Sequence, residues 1–396
     1  MDLEDSPEDH AFREGVRQFI ARHRAQAPAF DAHIGDPRVK QWQQLLVAAG
    51  YLARTVPKAY GGAGCSPDPM KSLIIAEEFA AAQLNTVYAR AGILMFLPTL
   101  LELGTAAQKE ALAAATLAGE LVWCQGYSEP QSGSDLASLS TRAHEDGDDF
   151  VLNGQKIWTS YAHVSNMMFA LVRTEPGTRR HEGISYLYFS MRTPGIETRP
   201  LMTMTGKPLF NEVFFTDVRV PQSQVIGQRG QGWKVANTTL RHERSVLGNP
   251  WQAVQRLEGL VALMRQETRD GRRCIDDPVL RDRLMQLSAQ VEAMKQHELR
   301  LTTADMQGQA LPLERLVVKL QGTQLNYALD ALAIDCLGDA GTLYDNSLRL
   351  RAAGQWPYRL MQDLGFIIGG GTAQIQRNII GERGLGLPRS EPSRTP

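Results

Sequence analysis

Apolar positions recur every three or four residues up to about residue 120, lose that spacing between about 123 and 233, then regain it almost to the end. In the first stretch Phe12, Val16, Phe19 and Ile20 fall on one helical face. Ser6-Pro7-Glu8-Asp9 ahead of them supplies an N-cap, a proline suited to a first helical turn and acidic residues at the positive helix end. A Gly- and Pro-rich loop, Pro57 to Pro69, precedes a second amphipathic segment from Lys71 to Gln83. Leu94 to Leu103 predicts an apolar helix, and Gly104-Thr105 its stop and the cap of a helix from Ala106.

The middle stretch reads differently. Met168 to Val172, Ile184 to Met191, Ile196 to Pro200 and Glu212 to Val220 are short, β-branched and aromatic, each bounded by Gly, Pro or Asp. Asp146-Gly147 and Asn153-Gly154 are hairpin-type turn signals. Beyond Gly232 the period predicts long helices near 233–268, 277–306 and 312–335, with shorter ones at 340–353 and 374–383. Pro278 and Pro312 sit near predicted helix starts, where proline is tolerated. The expected architecture is α+β and multi-domain: a helical domain over 1–122, a central β-sandwich or barrel over 123–233, a four-helix-type bundle over 234–388 and a polar, frayed tail over 389–396.

Composition narrows the class. With 43% apolar and 21% charged residues and a net charge of −1, the chain reads as an ordinary globular protein without the electrostatic footprint of a nucleic-acid or anionic-membrane binder. Cys65, Cys124, Cys274 and Cys336 are scattered, with no Cys-x-x-Cys pair, which fits a reducing compartment rather than a disulfide framework or zinc site. The N-terminus is acidic where a secretory signal would be basic, and no apolar run is long enough to span a bilayer. A cytoplasmic location is expected.

The chemistry is concentrated in Tyr127-Ser128-Glu129-Pro130-Gln131-Ser132-Gly133-Ser134-Asp135 and in Val151-Leu152-Asn153-Gly154-Gln155-Lys156-Ile157-Trp158-Thr159-Ser160. Alone, the first is a polar turn and Trp158 a core-filling residue; a loop dense in Ser and Gly also presents N–H groups and hydroxyls suited to a flavin's polar edge and phosphates. The two together, at their spacing, resemble the flavin signature of the acyl-CoA dehydrogenases. Later landmarks extend the resemblance over nearly the whole chain: Gly183-Ile184-Ser185-Tyr186, Asn211 to Pro221, Ile226-Gly227 with Gly230, Gly232 and Trp233, and Gly369-Gly370-Gly371-Thr372-Ala373-Gln374. The order helices, β domain, helical bundle is that family's fold.

The resemblance implies FAD as cofactor. Gln125, Tyr127 and Ser128 would line the flavin ring and the acyl pocket, and Trp158 and Ser160 would cover the other side near N5. Thr372 and Gln374 fall at FAD-contacting positions, and Ser134 near the CoA pantetheine. The implied reaction converts a saturated acyl-CoA to the trans-2-enoyl-CoA, with a base taking the α-proton while hydride leaves the β-carbon for the flavin. Electrons would pass to an electron-transfer flavoprotein.

Many relatives carry the base in Tyr-Glu-Gly-Thr. Here Gly370 stands at that place, and glycine cannot take a proton. The isovaleryl-CoA dehydrogenase-like branch places it immediately before an arginine early in the first bundle helix, where this chain has Leu240-Arg241-His242-Glu243-Arg244-Ser245. Glu243 is therefore the implied base; on residue type alone it is a solvated helical glutamate paired with a neighbour. Arg244 would hold the helix end or CoA, His242 reads as a surface or packing residue, and Arg241 replaces an acidic residue that some relatives set against pantetheine.

Other departures concern assembly. The usual Arg-x-x-Phe-Gly run, which reaches a neighbouring subunit's FAD pyrophosphate, is replaced by Glu267-Thr268-Arg269-Asp270-Gly271-Arg272-Arg273. Asp339 stands in the loop that often receives the adenine end. Two assemblies fit: a homodimer or tetramer with an altered pyrophosphate site, or a hetero-oligomer completed by a sister subunit. Two other activities stay open on the same fold, an oxygen-using flavoenzyme and a non-catalytic partner subunit. Ala89 and Gly92, flanking Arg90, hint at a roomy acyl pocket, though small residues also serve helix packing; Arg90 could meet a distal carboxylate but reads first as capping a solvated face.

Overall fold

The computed structural model describes residues 5–29, 32–175, 177–178, 180–309, 311, 313–345 and 347–388, without the side chains of 244–246. Pro312 and the 389–396 tail therefore lie outside the described residues. The chain forms two compact units. One draws on Arg13–Asp68 and Ala82–Glu243, the other on Met1–Phe12, Pro69–Ala81 and Arg244–Pro396.

The N-terminal helices start where their caps allow. In α1 (Pro7–His23) the Ser6 hydroxyl accepts from the Asp9 N–H at 3.1 Å, and the Asp9 carboxylate accepts from the Ser6 N–H at 3.2 Å. Helix α2 (Pro37–Ala48) is capped by Asp36, and α3 spans Pro69–Ala81. The predicted Leu94–Leu103 helix begins earlier, as a π-helical stretch Ala91–Phe96 that runs into α4 (Leu97–Leu103). Thr105 and Gln108 form the capping box of α5 (Ala106–Leu117).

The β region is one seven-stranded sheet built from β1 (Trp123–Gly126), β2 (Arg142–Asp146), β3 (Asp149–Lys156), β4 (Met167–Arg173), β5 (Ile184–Ser190), β6 (Ile196–Leu201) and β7 (Phe210–Pro221). Its order is β1-β4-β2-β3-β7-β6, with β5 also paired to β4. Phe150, Leu152, Met168, Ala170, Phe189 and Phe215 pack its core. The Asp146-Gly147 signal marks a real hairpin, in which Asp146 pairs with Asp149 across Gly147-Asp148. The Asn153-Gly154 signal does not. Gly154 lies inside β3 at a register shift against β7, and a Cβ there would meet Thr141 Oγ1 at 2.6 Å, so the glycine serves a bulge and a close approach rather than a turn.

The single helix expected over 233–268 is two, α6 (Gly232–Val246) and α7 (Pro250–Gln266). Gly248 at φ +81°, the Asn249 side chain accepting from the Trp251 N–H at 2.9 Å, and Pro250 at the first turn together stop one helix and start the next. A small hairpin, β8 (Thr268–Arg269) with β9 (Arg272–Arg273), leads to α8 (Pro278–Met306) and α9 (Glu314–Leu337). The helix expected at 340–353 is absent among the described residues; only short 3₁₀ turns occur at Gly338–Thr342 and Ala352–Gly354. Instead α10 runs Gln355–Ile368, started by Gly354 at φ +72°, and α11 spans Ala373–Ile379. Leu260, Leu263, Leu329, Leu332 and Trp356 form the bundle core, and α3 joins it by packing Met70, Leu73 and Ala80 against Trp251.

Candidate active site

Helix α6 carries Glu243, and two contacts fix that helix against α4. Thr99 and Thr239 share a buried hydroxyl–hydroxyl hydrogen bond of 2.9 Å. Glu102 accepts from Arg241 Nη2 at 2.7 Å and lies 2.8 Å from His242 Nε2. Burial works against the Glu102 charge, but these two partners hold its carboxyl below the ordinary range. Arg241 and His242 are thus helix clamps.

The half-buried Glu243 extends instead toward β1, where Gln125 Nε2 lies 3.4 Å from its Oε2, a long and weak hydrogen bond. Next to it are two tyrosines, Tyr127 and Tyr186, buried edge to face at 6.3 Å. Their hydroxyls lie beside Thr239 with no well-formed hydrogen bond among the described residues. Burial first, with Tyr186 and the Glu243 charge adding, pushes the Tyr127 phenol well above its ordinary range, so it stays a neutral donor. Sequence reasoning missed Tyr186, Thr99 and Thr239 as members of this cluster. Only Tyr186 carried a signal, as part of a landmark; a threonine inside a helix carries none.

Ser128 is half-buried, its carbonyl accepting from the Ile157 N–H at 2.9 Å. Trp158 follows with φ +59° and 59% of its surface exposed, one edge on Phe210 at 6.0 Å. An indole held outward on left-handed backbone marks a ligand face better than a core position. Thr159 Oγ1 is buried without a partner among the described residues, while Asn211 brackets its backbone at 2.9 and 3.1 Å. Ser160 and Ser134 are exposed. Exposed indole, orphaned hydroxyls and a carboxylate–amide pair fit a flat heteroaromatic ring with a polar edge, as FAD requires.

The structure thus brings Glu243, Gln125 and Tyr127 together. Thr372 and Gln374 belong to the other compact unit. There the Thr372 hydroxyl accepts from the Ile375 N–H at 3.2 Å as the cap of α11, leaving its own proton free to donate, and Gln374 is exposed. Arg244 continues α6, but its side chain is outside the described set. One weaker reading is corrected. A Cβ on Gly92 would sit 2.8 Å from the Trp123 ring, so that glycine allows helix packing rather than a roomy pocket. Arg90 is half-buried, and burial lowers its pKa, partly opposed by Tyr161.

Family models described as acyl-CoA dehydrogenase N-terminal, middle and C-terminal domain match residues 6–120, 124–218 and 230–385. The chain belongs to the acyl-CoA dehydrogenase family. Its relatives include acyl-CoA dehydrogenase IpdE1 of Mycobacterium tuberculosis, 38% identical over 391 residues that cover 96% of this chain and 97% of that protein. Among solved structures, the Tcur3481-Tcur3483 steroid ACAD superposes with a TM-score of 0.84 at 30% identity, over 98% of this chain and 100% of that one. The ChsE4-ChsE5 complex from Mycobacterium tuberculosis gives 0.81 at 31% identity, again over 98% and 100%. The chain is accordingly an FAD-dependent oxidoreductase of the acyl-CoA dehydrogenase type. Among the described residues no helix is long and apolar enough to cross a membrane.

Proposed function

We propose that this acyl-CoA dehydrogenase converts a saturated acyl-CoA to the trans-2-enoyl-CoA with Glu243 as the base. The observation that carries the reading is the approach of Glu243 to Gln125, two residues before the signature that the flavin resemblance rests on. Bound FAD supplies the two-electron acceptor for the hydride leaving the β-carbon. Gln125, Tyr127, Ser128, Trp158 and Ser160 would hold its ring; Thr372 and Gln374 stand at positions where the family resemblance implies FAD contact. Glu243 removes the α-proton; the Gln125 amide steadies its carboxylate, and the Tyr127 phenol, kept neutral by burial, does not compete for that proton. Ser134 binds near the CoA portion.

The acyl group is bulky and polycyclic, and the chain works as one subunit of a mixed assembly. This part of the reading is supported by the steroid and two-component names of solved relatives at about 30% identity. It is also supported by the exposed arginine hairpin, Arg269, Arg272 and Arg273, that replaces the usual pyrophosphate run. The electrons pass to an electron-transfer flavoprotein.

Anaerobic titration with a panel of acyl-CoAs, following flavin bleaching, tests this. Glu243→Gln should keep the bound-flavin spectrum and lose roughly 10²–10⁴-fold in the rate of bleaching. A folded, flavin-loaded Glu243→Gln protein that bleaches at the parent rate would remove Glu243 from the reaction.

A further inference from the structure

Lys156 has no room for solvent. It ends β3 fully buried, and Glu129 beside it is 5% exposed. Lys156 Nζ donates to Glu129 Oε1 at 2.8 Å and to the Tyr127 carbonyl at 3.2 Å. Glu129 Oε1 also accepts from the Thr141 N–H at 2.9 Å, and Oε2 from the Ser140 N–H and hydroxyl at 2.6 and 2.8 Å. Burial works against both charges. The lysine and the surrounding donors nonetheless hold Glu129 at about 2, so the pair stays ionic.

The pair lies under both halves of the flavin signature at once. The ammonium fixes the Tyr127 carbonyl, and because a trans peptide is planar, the Ser128 N–H on the same plane is aimed the opposite way, away from Lys156. One residue after Lys156, the Ile157 N–H donates to the Ser128 carbonyl at 2.9 Å, and the chain leads directly into the strained Trp158. We infer that Lys156 and Glu129 are positioning residues for the flavin: they touch no cofactor atom but set the orientation of the Tyr127–Ser128 peptide and of Trp158 that meet the ring. The inference rests on the flavin-site reading above.

Replacing one partner strands a buried charge, so the decisive variant is the double one, Lys156→Met with Glu129→Gln, measured for FAD dissociation constant, visible flavin band and circular dichroism. The expected result is a native far-ultraviolet spectrum, FAD bound at least about tenfold more weakly and an altered visible band. Ser140→Ala removes one hydrogen bond to Glu129 and leaves both charges paired; it should move FAD affinity in the same direction by about threefold, and it decides the matter if the double variant does not fold. Parent-like affinity and visible band in the folded double variant, or in Ser140→Ala where the double variant fails, overturn the inference. Trp158→Ala separates the two levels. If it weakens FAD while the Lys156 and Ser140 variants do not, the positioning role fails alone; if Trp158→Ala also leaves FAD binding intact, the site reading fails.

Discussion

Gly322 sits in the middle of α9, where helix propensity alone recommends alanine: the exchange gains about 1 kcal/mol in an open helix. The structure predicts the opposite sign. A Cβ on Gly322 would lie 2.0 Å from the Gly248 carbonyl oxygen and 2.6 Å from its Cα, and both are backbone atoms of the tight turn between α6 and α7. From the other side, a Cβ on Gly248 would meet the Val318 carbonyl at 2.5 Å. Neither backbone can yield like the tip of a flexible side chain. Helix α9 is packed on Leu320, Leu325 and Leu329, and the turn is pinned by Asn249 and Pro250. Overpacking of this kind costs roughly 1–3 kcal/mol, with backbone collisions at the upper end. After subtracting the propensity gain, Gly322→Ala should destabilise the helical unit by about 2 kcal/mol, a drop of about 4–8 °C in its melting transition. Urea unfolding followed by circular dichroism gives the same quantity as a lower midpoint at unchanged slope. Gly259→Ala on α7 is the internal control. Its Cβ would stand 3.5 Å from the Trp356 ring, an ordinary contact, so it should stabilise by up to about 1 kcal/mol. If Gly322→Ala is as stable as the parent, propensity outweighs the close approach and the reasoning is refuted.

Two further outcomes follow from the same unit. Burial, with the Asp363 charge adding and Arg256 opposing, pushes Asp330 up to about 8, above its unfolded value, so its favourable contribution is present at low pH and lost as pH rises toward 8. Asp330→Asn, still able to accept from Arg256, should therefore flatten the fall in stability between about pH 5 and 8; equal pH profiles for variant and parent would contradict this. Asn249→Ala removes the α7 cap and should cost about 1 kcal/mol in denaturant unfolding read by tryptophan fluorescence, while Asn249→Asp should cost much less.

What the sequence made legible follows from how local each signal is. The Ser6, Thr105 and Pro278 helix starts and the Asp146-Gly147 hairpin are decided within a few residues, and each stands in the structure. The signals that misled were locally identical but tertiary in cause. Asn153-Gly154 has the letters of a hairpin turn, yet its glycine answers to Thr141 on the neighbouring strand. Gly92 has the smallness of a pocket wall, yet answers to Trp123. The break between α6 and α7 was legible in Gly248-Asn249-Pro250 but lay within a continuous apolar period, which dominated the reading. In the candidate site, the motif residues Gln125, Tyr127 and Trp158 could be named in advance. Thr99 and Thr239 could not, because a pairing 140 residues apart leaves no local trace.

The glycine triplet gives the base assignment a physical reason beyond a missing letter. Gly370 has φ +64° and Gly371 φ +91°, backbone that a side-chain-bearing residue adopts only at a cost. The turn is also tied down from inside its own unit. Gly371 offers its carbonyl to the fully buried Lys319 at 2.7 Å, and Gly370 offers its own to Gln376 at 3.2 Å. A Cβ on Gly371 would crowd that same Gln376 amide at 2.8 Å. The loop has thus been shaped around residues without side chains, and a glutamate written into position 370 would have to strain the turn to present a carboxylate. The absence of a carboxylate here thus goes with a turn whose backbone favours glycine. That is consistent with the proposed base lying elsewhere, at Glu243, whose carboxylate lies toward Gln125 while Glu102 engages the two residues before it.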